Sequence, residues 1–191
     1  MNTHESFSHS LVSSKLWLCE KLEKIIDNEN IKNPAVNILA SWDNLLSFML
    51  LTRRPKFYGV VNAYDIDSAS TDIANKICDY WKYDYPKVYN HTVDINSLNF
   101  KNTGIESIFI NCSVDQLDNT TWYDIIPDER LVCFQSTDLP IGNTPWDIKQ
   151  SYSNIMEFTE TYKVRRLIYG DSITINYGHL SYKRHMMIGI K

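Results

Sequence analysis

Four groups of residues in this chain have the types and spacing to do chemistry. Asp65 and Asp67 close the apolar run Phe57–Ala63. An acid at the carboxyl end of a buried strand accepts hydrogen bonds from a ribose diol; the same two acids also suit a strand-to-helix N-cap. The turn Ala40-Ser41-Trp42-Asp43-Asn44 follows a second apolar run, Val36–Leu39, and precedes an apolar helix-like segment, Leu45–Leu51. Backbone N–H groups in such a turn approach a ligand closely, although the usual glycine fingerprint is absent. Asp94 follows a short strand, where it either meets a ligand or caps the Asn96–Phe100 loop. Asn111, Ser113 and Asp115 follow another apolar run, and Asp115 is of the right type to orient a nucleophile or accept its proton. The plain alternative for the last group is a polar loop rim.

The elements that position these residues are legible from periodicity. Ser14 is a plausible N-cap for a helix whose apolar face is Leu16, Leu18, Leu22, Ile25 and Ile26. Val36–Leu39, Phe57–Tyr64, Val88–Val93, Ile105–Ile110 and Leu131–Gln135 read as strands, the first two as buried ones. Trp42–Leu51, Ala69–Trp81 and Ser151–Tyr162 read as helices, residues 116–126 as a short helix or structured loop, and 138–144 as a Gly/Pro-bearing loop. Arg165–Tyr177 and Tyr182–Ile190 alternate around GHLS and predict an antiparallel hairpin. Strands alternating with helices imply an α/β fold with an open, mostly parallel sheet, and such sheets bind ligands beyond the carboxyl ends of their strands.

Composition narrows the function classes. The 191 residues suit one domain, 1–191, with 1–33 as an N-terminal helical cap segment. A net charge of −4 disfavours a general polyanion binder. Nucleic acid stays possible through two basic clusters, Arg53/Arg54/Lys56 and Lys163/Arg165/Arg166/Lys183/Arg184/His185, whose commoner role is as solvated loop and strand charges. Cys19, Cys78, Cys112 and Cys133 are widely spaced and no Cys/His pair has metal-ligand spacing, so reduced thiols and no metal are expected. The start of the chain lacks the features of a signal peptide, and no apolar run approaches the ~18 residues of a membrane span. A cytoplasmic protein with no membrane partner is expected.

The order of elements resembles that of class I S-adenosylmethionine-dependent methyltransferases. The finer resemblance is to small methyltransferase-like proteins of tailed bacteriophages, which would place the chain in the host cytoplasm. It is carried by SSKLWLCEKL (13–22), ILASWDNLL (38–46), FINCSVDQL with Trp122 (109–122), LVCFQSTD (131–138) and RHMMIG (184–189). The resemblance implies a Rossmann-like three-layer sandwich, with a mostly parallel seven-stranded sheet ending in an antiparallel hairpin. It implies S-adenosylmethionine as cofactor. Ala40, Ser41 and Trp42 would contact its methionine part, Asp65 its ribose, Asp94 its adenine amino group and Asn111 the methyl-transfer side. Asn111 and Asp115 are the catalytic candidates, and Ser14 and Lys15 would close over the cofactor. Ala40 and Asn44 stand where that group has glycines, and Val114-Asp115-Gln116 where it has Cys-Glu-His. Gln116 cannot titrate as a histidine does. Two main readings follow: a methyltransferase whose acceptor is unspecified, or an inactive fold serving as a binding or assembly component. Another enzyme using the same cofactor, such as an aminocarboxypropyl transferase, is a third.

Overall fold

A computed structural model describes residues 8–81, 87–142 and 146–191. The elements run α1 (His9–Asn28), β1 (Ala35–Leu39), α2 (Leu45–Arg53), β2 (Val60–Asp65), α3 (Ser68–Trp81), β3 (Val88–Thr92), β4 (Ile108–Asn111), α4 (Thr121–Asp124), β5 (Leu131–Thr137), α5 (Ile155–Thr161), β6 (Arg166–Tyr177) and β7 (Leu180–Ile190). The seven strands form one sheet in the order β3-β2-β1-β4-β5-β7-β6. The first five strands in that order are mutually parallel, while β7 is antiparallel to both β5 and β6. Strand order reverses between β1 and β4, which puts the switch point, and the expected site, at the ends of these two strands.

The central strands are buried on both faces, and their period of two divides the core. In β4, Ile108 and Ile110 face one layer with Leu18, Leu22 and Ile26 of α1 and Leu46 and Leu50 of α2. Phe109 faces the other, with Trp122, Phe134, Phe158 and Tyr162. There Trp122 and Phe134 meet edge to face at a centroid distance of 5.0 Å, a geometry worth about 0.5–1.5 kcal/mol for the pair beyond its burial. Gly189 on β7 has a packing reason: a Cβ there would lie 2.7 Å from Arg166 O and 2.9 Å from Val164 Cγ2.

Tertiary contacts moved several element boundaries. α1 begins at His9, so Ser14 does not cap it; Ser14 lies inside the helix, buried and bonded to β5. α2 begins at Leu45 rather than Trp42, because Ala40, Trp42 and Asn44 all have positive φ. β4 spans only Ile108–Asn111, and Ile105 is exposed beyond it. β5 runs on to Thr137 because Gln135, Ser136 and Thr137 pair with Met186, His185 and Arg184. The hairpin reverses on Gly178-His179 alone, since Tyr177 pairs with Leu180, and Gly178 takes φ +58 there. The side chain of Trp81 and part of the 138–144 loop lie outside the described residues.

The basic clusters are largely paired. Arg53 and Arg54 meet Glu23 and Asp27 of α1, each at 2.8 Å, Arg166 meets Glu29 at 2.5 Å, and Arg165 contacts Glu129. Such surface pairs are worth only about 0–1 kcal/mol each, but they leave fewer free cations for phosphates. No described helix is long and apolar enough to cross a membrane, and the described residues hold no group of three or more potential metal ligands.

Candidate functional site

The turn after β1 is built from left-handed backbone. Ala40, Trp42 and Asn44 have φ of 50°, 55° and 57°. For residues with a Cβ this conformation costs roughly 1–2 kcal/mol each, somewhat less for Asn. Specific bonds hold it. Trp42 N–H donates to Asp65 Oδ2 (2.6 Å), Ser41 N–H to Tyr64 O (3.0 Å) and Asn44 N–H to Ser41 O (3.0 Å). Asn44 Nδ2 donates to Asn90 Oδ1 (2.8 Å), and Ser47 Oγ donates to Asn44 Oδ1. The turn is thus fastened to β2, β3 and α2 together.

Asp65 is the fastener. Its Oδ2 takes Trp42 N–H and its Oδ1 takes Asp67 N–H at 3.0 Å. A carboxylate has about four lone-pair sites, so these bonds do not exhaust it. Burial raises the Asp65 pKa, and the N–H bonds from Asp67 and Trp42 oppose the rise. Asp67 has the local role: it accepts from Ala69 N–H and Ser70 Oγ, both at 2.9 Å, at the start of α3. Asp94 Oδ1 caps the short 3-10 turn Ile95–Ser97 through Asn96 N–H at 2.9 Å.

Ala40, Asp65 and Asp94 nevertheless line one open cleft of about 250 Å³, with Ile66, Ile95 and Gln116. Ile66 is 72% exposed there and gives the cleft an apolar wall. Ser41 and Asn111 line neither this cleft nor the pocket beside it. Asn111 is wholly buried; its Oδ1 accepts Ser113 N–H at 2.9 Å and its Nδ2 has no partner.

A smaller pocket of about 40 Å³ adjoins the cleft, and Gln116 belongs to both. Lys15, Trp42, Asp115, Gln135, Tyr182 and Arg184 are among its walls. Arg184 Nη1 meets Asp115 Oδ2 at 3.1 Å, and Nη2 donates to Cys112 O. Asp115 Oδ1 and Arg184 Nε are buried without partners. Burial raises the Asp115 pKa while Arg184 pulls it down. Gln135 closes the far wall by accepting from Ser14 Oγ and donating to Ser14 O, both at 3.1 Å.

The sequence reading placed Arg184 in a surface cluster and passed over Gln135, Trp146 and Tyr182. The available signal was position. Gln135 interrupts an apolar strand, and Arg184 opens a run, Arg184–Gly189, that is buried throughout. His185 in that run is a neutral core histidine: Ser172 Oγ donates to Nδ1 (2.7 Å) and Nε2–H donates to Tyr152 O (2.9 Å). Burial lowers its pKa.

The fold is that of a set of methyltransferases. No family model matches the chain, and no curated protein matches its sequence. Solved structures match its shape. TehB from Haemophilus influenzae superposes with a TM-score of 0.63 at 14% identity, over 88% of this chain and 62% of that one. Magnesium protoporphyrin IX methyltransferase (ChlM) from Synechocystis PCC 6803 with bound SAH gives 0.64 at 11% identity, over 99% of this chain and 88% of that one. The CurJ carbon methyltransferase gives 0.66 at 10% identity, over 97% and 56%. The chain therefore spans about three fifths of TehB and just over half of CurJ.

Proposed function

We propose that this chain binds S-adenosylmethionine in the cleft between the 40–44 turn, Asp65 and Asp94, and transfers its methyl group to an acceptor held beyond Gln116. One observation carries the reading. Three non-glycine residues, Ala40, Trp42 and Asn44, are held at positive φ in the turn that opens this cleft. Strain of this kind persists only where surrounding structure enforces it, and it gathers at ligand sites. The lining fits the ligand: free lone pairs on Asp65 suit the ribose diol, Asp94 suits the adenine amino group, and Ile66 and Ile95 offer an apolar slot for the ring. ChlM, which shares the fold, has been crystallised with SAM and with SAH.

When bound, S-adenosylmethionine supplies an electrophilic sulfonium methyl. The chain's residues supply binding and alignment, which account for much of the rate in a displacement of this type. Asp65 orients the ribose and fixes the turn through Trp42 N–H. The 111–116 loop, clamped by Arg184, forms the acceptor side. In this reading 1–191 is one domain with 1–33 as its helical cap. The resemblance of its motifs to those of tailed-phage proteins supports a place in the host cytoplasm as part of this reading.

A second reading, a methyltransferase fold kept as a binding or assembly component, is favoured by a specific contact. Asp115, the acid best placed to take a proton, is in a buried pair with Arg184. Titration calorimetry with S-adenosylmethionine and S-adenosylhomocysteine tests both. Micromolar binding, weakened at least tenfold by Asp65→Ala, is expected, and a folded protein that binds neither would sink the first reading. Labelled-methyl transfer into a lysate then separates turnover from binding alone.

A further inference from the structure

The pocket beside the cleft holds two cations, Lys15 and Arg184, against one acid, Asp115. Arg184 is 8% exposed and spends both terminal nitrogens on Asp115 and Cys112 O, which leaves Nε without a partner. Lys15 enters from α1, and among the described residues it makes no salt bridge. Burial disfavours its ammonium form; Cys112 opposes this, Arg184 adds to it, and Asp43 and Cys19 oppose it. Asp115 is 4% exposed and already shared with Arg184. Trp42, Trp146 and Tyr182 supply aromatic walls.

We propose that this pocket is a carboxylate subsite for the methyl acceptor, whose acid group lies between the side chains of Lys15 and Arg184 while its apolar body packs on Trp42, Trp146 and Tyr182. The inference rests on the reading that the cofactor occupies the neighbouring cleft. A carboxylate matches the charge of both cations, and charge-assisted hydrogen bonds to them are the strong kind. A neutral amide would leave the repulsion between Lys15 and Arg184 in place. The acid belongs to the acceptor rather than to the cofactor because of position. Asp65 and Asp94 stand at β2 and β3, whereas this pocket takes only Trp42 from the 40–44 turn and is otherwise built from α1, the loops after β4 and β5, and β5 and β7. The two spaces meet at Gln116. A methyl donor in the cleft and an acid in the pocket then approach each other across that residue.

The probes are benzoate, its neutral isostere benzamide, and benzylamine, followed by ligand-observed NMR with and without saturating S-adenosylhomocysteine. Benzoate is expected to bind at least tenfold more tightly than benzamide or benzylamine. Lys15→Gln should weaken benzoate at least tenfold, and Lys15→Arg should restore most of the loss. Arg184 is left intact because its removal would strand Asp115; circular dichroism and melting curves confirm that the Lys15 variants fold. Equal binding of benzoate and benzamide, tighter binding of benzamide, indifference to Lys15→Gln, or no benzoate binding at millimolar concentration would each overturn the proposal. Displacement of benzoate by S-adenosylhomocysteine would overturn the acceptor assignment by placing the cofactor's own carboxylate here. If S-adenosylhomocysteine does not bind at all, the cofactor reading fails, while the comparison of benzoate with benzamide still reads the subsite.

Discussion

Replacing Ala40 with glycine should stabilise this protein, against the usual direction of an Ala-to-Gly change. At φ +50 the Ala40 Cβ crowds its own backbone, at a cost of roughly 1–2 kcal/mol that glycine does not bear. Glycine also widens the unfolded ensemble, which costs about 0.4–1 kcal/mol. The difference favours Ala40→Gly by about 0.5–1 kcal/mol, or roughly 1–4 °C in Tm for a chain of this size. Urea unfolding measures it as a higher midpoint at unchanged slope. Two controls bracket the result. Ala35→Gly, in the regular strand β1, has no positive φ to relieve and should lose about 0.5–1 kcal/mol. Asn44→Gly relieves its backbone but loses the bonds to Asn90 and Ser47, so it should destabilise by about 1 kcal/mol or more. Because Ala40 lines the cleft, the glycine variant should keep its affinity for S-adenosylhomocysteine within tenfold. If Ala40→Gly destabilised as much as Ala35→Gly, the turn would not be strained as described, and the main support for the functional site would go with it.

Arg184→Met should cost about 3–5 kcal/mol because it strands Asp115, and adding Asp115→Leu should recover much of that, as a double-mutant cycle in urea would show. Lys15→Gln should raise the urea midpoint at neutral pH. The folded-state pKa of Lys15 lies below 10.5, so between the two values the folded chain binds fewer protons than the unfolded chain, and stability rises with pH. The Lys15 contribution is therefore whole above 10.5 and lost as pH falls through the lowered value, and the advantage of Lys15→Gln should shrink as pH climbs toward 10.5. Gly189→Ala should cost about 1–3 kcal/mol, because its methyl would meet Arg166 O at 2.7 Å and β6 would have to move.

By itself the sequence determined the alternation of strands and helices, the terminal hairpin and the strand ends at which a ligand site belongs. These depend on local periodicity, and continuously apolar runs such as Leu131–Phe134 have few homes other than a central strand. It also singled out Asp65 and the 40–44 turn. It could not assign backbone conformation there. Nothing local requires Ala40 or Trp42 to be left-handed; the turn is held from a distance, by Asp65 on Trp42 N–H, 23 residues along the chain, and by Tyr64 O on Ser41 N–H. The sequence favoured Asp65 over Asp67 for the ligand, but only the fold shows Asp67 on the α3 N-terminus and Asp65 bonded into the turn. The acceptor side was the least legible. Arg184 and Asp115 are 69 residues apart, and a lone arginine reads as surface charge until β7 inserts beside β5 and buries it against the loop after β4. Periodicity is a property of neighbours in sequence, and burial and charge pairing are properties of neighbours in space. This chain's sheet was therefore visible early, while its pocket existed only once the sheet had closed.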